Sequence, residues 1–62
     1  MQNMIDNLIN GNLKDARKQS RRFSQSKIAA HLEEMGWSVE KSLRAALYLK
    51  TGEDFQRYCD AK

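Results

Sequence analysis

Apolar residues recur at helical spacing along almost the whole chain. Met4, Ile5, Leu8 and Ile9 share one face of an opening segment, and Leu13 and Ala16 continue the period in a second that runs to about Arg22. Ile28, Leu32 and Met35 make a third row. Val39, Leu43, Ala46 and Leu47 make a fourth, and Phe55, Tyr58 and Cys59 a short last one. The pattern predicts an all-α, compact bundle of three to four short helices. Its expected core is Ile5, Leu8, Ile9, Leu13, Ile28, Leu32, Met35, Trp37, Val39, Leu43, Leu47, Phe55 and Tyr58.

The residues between these rows read as helix ends. Asn10-Gly11 is a stop signal, and Asn12 is placed to cap the segment that begins at Leu13. The alternative is one continuous helix over about residues 3–21, bent at Gly11, where glycine costs about 1 kcal/mol relative to alanine. Ser24 or Ser26 can cap the third segment. The chain is organised around the corner Met35-Gly36-Trp37-Ser38. Gly36 can end a helix at positive φ because it has no Cβ to clash, Ser38 can cap the next, and the Trp37 ring is expected to be largely buried where it closes the corner. Residues 39–50 form the strongest helix, with Glu40 in the first turn and Lys50 in the last, as the helix dipole prefers. Thr51-Gly52 ends it. Thr51, with Asp54 three residues on, is a candidate capping box for a final short helix.

Sixty-two residues make a single domain, divided into an N-terminal helical segment (1–22) and a helical core (24–62). A chain this short buries only about 60% of its unfolded surface, so the helices must pack well alone or the protein must associate. A single Cys59 forms no intramolecular disulfide and reads most simply as a small buried apolar residue. One cysteine with one histidine, His31, is a poor zinc set. The start carries Asp6 and no basic region, so no secretory signal is expected. No apolar run approaches the roughly 20 residues of a membrane span. A cytoplasmic setting follows, without a membrane partner.

Charge changes the picture more than composition does. The net charge is +3, but residues 14–27 alone carry +5. Lys14, Arg17, Lys18 and Arg21 lie at i, i+3, i+4 and i+7, one stripe on a helix, with Arg22 and Lys27 close by. Such a stripe is either a solvated face or a site for an acidic partner, nucleic-acid phosphate or an acidic protein surface. Phe23, beside Arg21 and Arg22, is a core aromatic or a stacking platform for single-stranded bases. Glu33 and Glu34 sit unfavourably at a helix C-terminus, a hint that they meet Arg17 or Arg21.

No phosphate loop, nucleophile–base pair or metal-ligand spacing is present, so no enzymatic activity and no cofactor are expected. Sequence-specific DNA reading by the 28–49 hairpin is also disfavoured. Leu32 is bulky four positions before Gly36, where the two helices of a helix-turn-helix must approach. The second helix offers only Lys41, Arg44 and Lys50, with Glu40 at its tip.

Met35, Gly36, Trp37 and Ser38, the Ala45-Ala46-Leu47-Tyr48-Leu49 run and Phe55 to Tyr58 carry a resemblance. Residues 28–60 resemble the ubiquitin-associated (UBA-like) three-helix domains, in which a Met-Gly-aromatic loop and a Ser or Thr cap join helix one to an Ala- and Leu-rich helix two. The third helix here lacks the family's usual leucine pair. The phrases NLINGNLKDARKQ and ALYLKTGEDFQRYCDA make the chain as a whole similar to short uncharacterised proteins of lambdoid bacteriophages and prophages. That resemblance implies a small accessory factor acting on a host or phage component.

The expectation is therefore a protein–protein interaction module, with a nucleic-acid binder using residues 14–27 as its rival. Met35, Gly36 and Trp37 are candidate interface residues. The apolar row at residues 4–9 is expected either to pack on the 28–49 hairpin or to form a homodimer patch.

Overall fold

The structure, a computed structural model, describes residues 1–61; Lys62, the end of the expected 24–62 core, lies outside them. Five helices follow one another: α1 (Gln2–Ile9), α2 (Leu13–Ser20), α3 (Gln25–Glu34), α4 (Val39–Thr51) and α5 (Phe55–Asp60). The all-α class is as expected. The count is higher because the opening segment is two helices and the last segment makes a fifth, of six residues. α4 is the hub: α2, α3 and α5 each pack on it, and α1 packs on α2. The radius of gyration is 10.0 Å, close to the ~10.6 Å of a compact chain of this length.

Local chemistry explains the helix ends. Gly11 and Gly36 both have positive φ, 83° and 98°. At each, the two residues after the last helical turn donate back to it. Gly11 N–H reaches Leu8 O and Asn12 N–H reaches Asn7 O, while Gly36 reaches Glu33 O and Trp37 reaches Leu32 O. That double bond pattern satisfies carbonyls a helix otherwise leaves open. Gly11 therefore separates two helices instead of bending one. Ser24 caps α3 and Ser38 caps α4, their hydroxyl oxygens accepting from Lys27 N–H at 3.2 Å and Lys41 N–H at 3.1 Å. Two expected caps fail. The Asn12 side chain turns back to Asn7. Thr51 is the last residue of α4, where its hydroxyl bonds Leu47 O and accepts from Glu53 N–H, so Asp54, at φ 59°, precedes α5 instead.

The core is Met4, Ile5, Leu8, Ala16, Ile28, Ala29, Leu32, Ala45, Ala46, Tyr48 and Leu49, with Ser20 and Ser42 buried among them. Leu13, Phe23, Trp37 and Tyr58 pack partly against it. Residues 4, 5 and 8 are thus covered within the chain. Five expected core residues are exposed: Ile9, Met35, Val39, Leu43 and Phe55. Ile9 and Met35 sit at helix ends, where the chain turns away before the side chain can reach the interior. Phe55 opens a helix with no buried residue, and Cys59 on the same helix is exposed, not buried. Val39 and Leu43 have a different cause: α4 has the expected period but buries a different face. Ser42, Ala45, Ala46 and Leu49, at i, i+3, i+4 and i+7, point inward.

Candidate interaction surfaces

With that rotation, the large aliphatic residues of α4 form an outward row. Val39 is 61% exposed and Leu43 51%, and Leu47 is half-buried at the row's end. They line a shallow open groove with Glu40 and Arg44 on one flank and Gln25, from the start of α3, across it. Spacing of four places the three on one ridge. This row was visible in the sequence, but as core.

The basic residues divide. A groove between α2 and the end of α4 is lined by Lys14, Arg17, Lys18, Ser20, Arg21, Leu49 and Lys50. A second, on the other side of Lys18 and Arg21, adds Arg22 and Phe23 and is walled by the start of α1. Lys18 and Arg21 thus form a ridge between two grooves. Lys27, in the first turn of α3, lines neither.

Two cations of this region, both exposed, make contacts within the chain. The Arg17 guanidinium lies 5.9 Å from the Tyr48 ring centre, a cation–π distance. It also fills the space beside Gly52, where an added Cβ would come within 2.6 Å of Arg17 Cζ. There it sits at the C-terminal end of α4, where positive charge is favoured, and not against Glu33 or Glu34. Lys50 donates from Nζ to Phe23 O at 2.8 Å and Ser20 O at 3.2 Å. It closes the end of α2, a role hidden in the sequence because its partners are 27 and 30 positions away. The Ser20 hydroxyl lies 2.8 Å from Leu49 O and 2.6 Å from Arg17 O, so its one hydrogen serves either carbonyl.

At the corner, Trp37 is half-buried, not enclosed. Its ring stacks on Tyr58 at 6.4 Å and carries the Lys41 ammonium 4.7 Å from its centre. Tyr58 in turn stacks on Tyr48 at 6.3 Å, and Phe55 tilts against both. This aromatic chain fastens α5 and the corner to α4. Burial raises the Tyr58 phenol above its ordinary 10.0, and the nearby Cys59 and Tyr48 raise it further. Met35 and Gly36 are exposed beside Trp37.

His31 is half-buried, and its Nε2 has no hydrogen-bond partner. Among the described residues, no group of three or more His, Cys, Asp or Glu side chains could hold a metal ion, and no helix is long and apolar enough to cross a membrane. Comparison with known protein families, with curated proteins and with solved structures finds no match.

Proposed function

We propose that this protein is a small non-enzymatic protein–protein interaction module whose binding surface is the outer face of α4. The observation that carries the reading is the row of exposed Val39 and Leu43 and half-buried Leu47 on the longest helix of the bundle. Three adjoining aliphatic side chains left on a ridge, flanked by Glu40 and Arg44, have the form of a helix-docking surface with an apolar centre and polar edge. On the resemblance of its opening and closing phrases to short phage and prophage proteins, we read it as an accessory or regulatory protein acting in the bacterial host cytoplasm on a host or phage component. The order of α3, the Met35-Gly36-Trp37 corner, α4 and α5 is compatible with the UBA-like resemblance.

A second reading has its own observation. Lys18 and Arg21, flanked by two basic grooves, would suit a phosphate backbone. It ranks lower because Arg17 and Lys50 are already held by Tyr48 and by the carbonyls of Ser20 and Phe23.

One experiment separates the two. The immobilised protein is exposed to nuclease-treated and untreated bacterial lysate, beside the variants Leu43→Asp and Lys18→Glu/Arg21→Glu. The module reading expects nuclease-resistant capture that Leu43→Asp abolishes and the charge reversal leaves intact. Capture that disappears with nuclease and with the charge reversal instead would replace it with the nucleic-acid reading.

A further inference from the structure

We infer that the outer face of α4 is a self-association surface: a second copy of this chain docks on it, α4 against α4, antiparallel, about a twofold axis near Leu43. The inference rests on the module reading and assigns its surface a second copy of the chain, in addition to the host or phage component of that reading.

The argument begins with the ridge. Val39, Leu43 and Leu47 stand at i, i+4 and i+8, with the centre of the row at Leu43. Rows of this spacing interdigitate in the commonest class of helix–helix packing. A row centred on one residue can meet itself, because a twofold axis through that residue places Leu43 on Leu43 and Val39 of one copy near Leu47 of the other.

Charge selects the antiparallel direction and the second copy. In an antiparallel helix pair each flank faces the same flank of its partner, whereas in a parallel pair it faces the opposite one. The free flank here carries Glu40 and Arg44, one acid and one base. Each Glu40 then faces the Arg44 of the other copy. With a rise of 1.5 Å per residue, an axis at the height of Leu43 leaves them about 3 Å apart in height, within reach of two long side chains. Symmetry makes the pair twice. The groove shares no lining residue with either basic groove, so its own charge is balanced although the chain is +3. A strongly acidic or basic partner would gain nothing here, and a copy of the same flank is complementary to it. The opposite flank of the row is closed by packing: Ser42 and Ala46 are fully buried, leaving Glu40 and Arg44 as the flank a partner meets.

Three side chains from each copy make a small contact, so the dimer belongs with weak, concentration-dependent associations and not with obligate ones.

Sedimentation equilibrium over a concentration series tests this. The parent protein should move from the mass of one chain toward two. Glu40→Arg and Arg44→Glu should each weaken association about tenfold, since each variant sets like charges face to face at two symmetry-related places. An equimolar mixture of the two variants should recover the lost affinity, as one copy then carries two bases on the flank and the other two acids. The double variant Glu40→Arg/Arg44→Glu should self-associate like the parent. Rescue by mixing distinguishes the contact from a pairing of Glu40 with Arg44 inside one helix, which mixing cannot restore. Circular dichroism checks that each variant remains folded. A parent that stays monomeric at every concentration, or a mixture no tighter than either variant alone, overturns the inference. So does a dimer on whose dilution the methyl resonances of Val39 and Leu43 stay fixed. A monomeric parent whose nuclease-resistant capture is still lost in Leu43→Asp removes the second copy and leaves the module reading standing.

Discussion

Two faces of α4 carry small or apolar residues at one helical period, and only one is covered. The covered face is Ser42, Ala45, Ala46 and Leu49; the open one is Val39, Leu43 and Leu47. By transfer free energy alone the open face is the better candidate for burial, since valine and leucine gain far more than serine and alanine. The fold chose otherwise because α4 is the hub. A helix with three neighbours needs small residues where backbones approach, since the separation of packed helices depends on the side chains between them. Most of the large groups that fill the core come from other helices, Met4, Ile5 and Leu8 of α1 and Ile28 and Leu32 of α3, beside Tyr48 and Leu49 of α4 itself. Apart from Tyr48 and Leu49, α4 supplies small residues, Ser42, Ala45 and Ala46, that let its neighbours approach.

The comparison breaks most visibly at its two leucines. Leu49→Ala, on the covered face, should cost about 3 kcal/mol, within the range for a truncated buried leucine. Leu43→Ala should cost under about 0.5 kcal/mol, the usual scale for exposed positions. Urea denaturation at a concentration where the chain is monomeric reads both. Equal losses would mean that α4 buries its other face. Against a total stability near the low end for small domains, the first variant should be unfolded in part at 37 °C.

A smaller effect of opposite sign sharpens the same contrast. Ser42 is fully buried, and its hydroxyl has no hydrogen-bond partner. Ser42→Ala keeps the side chain small, removes an unsatisfied polar atom and improves helix propensity. It should stabilise by about 0.5–1 kcal/mol. A lower urea midpoint for this variant would show that the hydroxyl is bonded in solution.

The smallest effect lies at the boundary between the faces, where Tyr48 meets Tyr58. The Tyr58 phenol is raised in the fold, first by burial, so the folded chain holds this proton more tightly than the unfolded one. Its contribution is complete below about pH 10, the ordinary tyrosine value, and is lost as pH climbs through the raised one. Denaturation midpoints taken at intervals above pH 9 should fall less steeply for Tyr58→Phe than for the parent. Identical slopes would place the phenol in water.

The helix ends were legible in the sequence because their chemistry is local. Gly11, Gly36, Ser24 and Ser38 each act within a few residues of themselves, so spacing identified Gly36 and Ser38 outright, Ser24 as one of two candidates and Gly11 as a break or a bend. The face that α4 buries was not legible. Rows 39–43–47 and 42–46–49 share a period, and hydrophobicity pointed to the wrong one; only the presence of neighbours on the other side decides. The basic residues were legible as a cluster and illegible as individuals. Arg17 became a packing group through Tyr48 and Gly52, and Lys50 a capping group through Ser20 O and Phe23 O, and each of these partners is distant in sequence from the cation it meets. Asn12 and Thr51 were misread for a related reason: each is a capping residue by type, and each turned back to a partner earlier in the chain.

The Lys50 ammonium on Ser20 O and Phe23 O carries a consequence for how the chain is made. During synthesis the first 24 residues can form both opening helices and the turn between them, with Ser20 O accepting the Phe23 N–H inside that segment. The second donor to Ser20 O, and the donor to Phe23 O, come only when residue 50 arrives on its own helix. The last turn of the opening hairpin should therefore fray more readily until the hub docks. Hydrogen-exchange protection of that turn should accordingly appear together with residues 45–49 and not with residues 4–8, and a last turn protected as early as residues 4–8 would show that the lysine only decorates an end already closed.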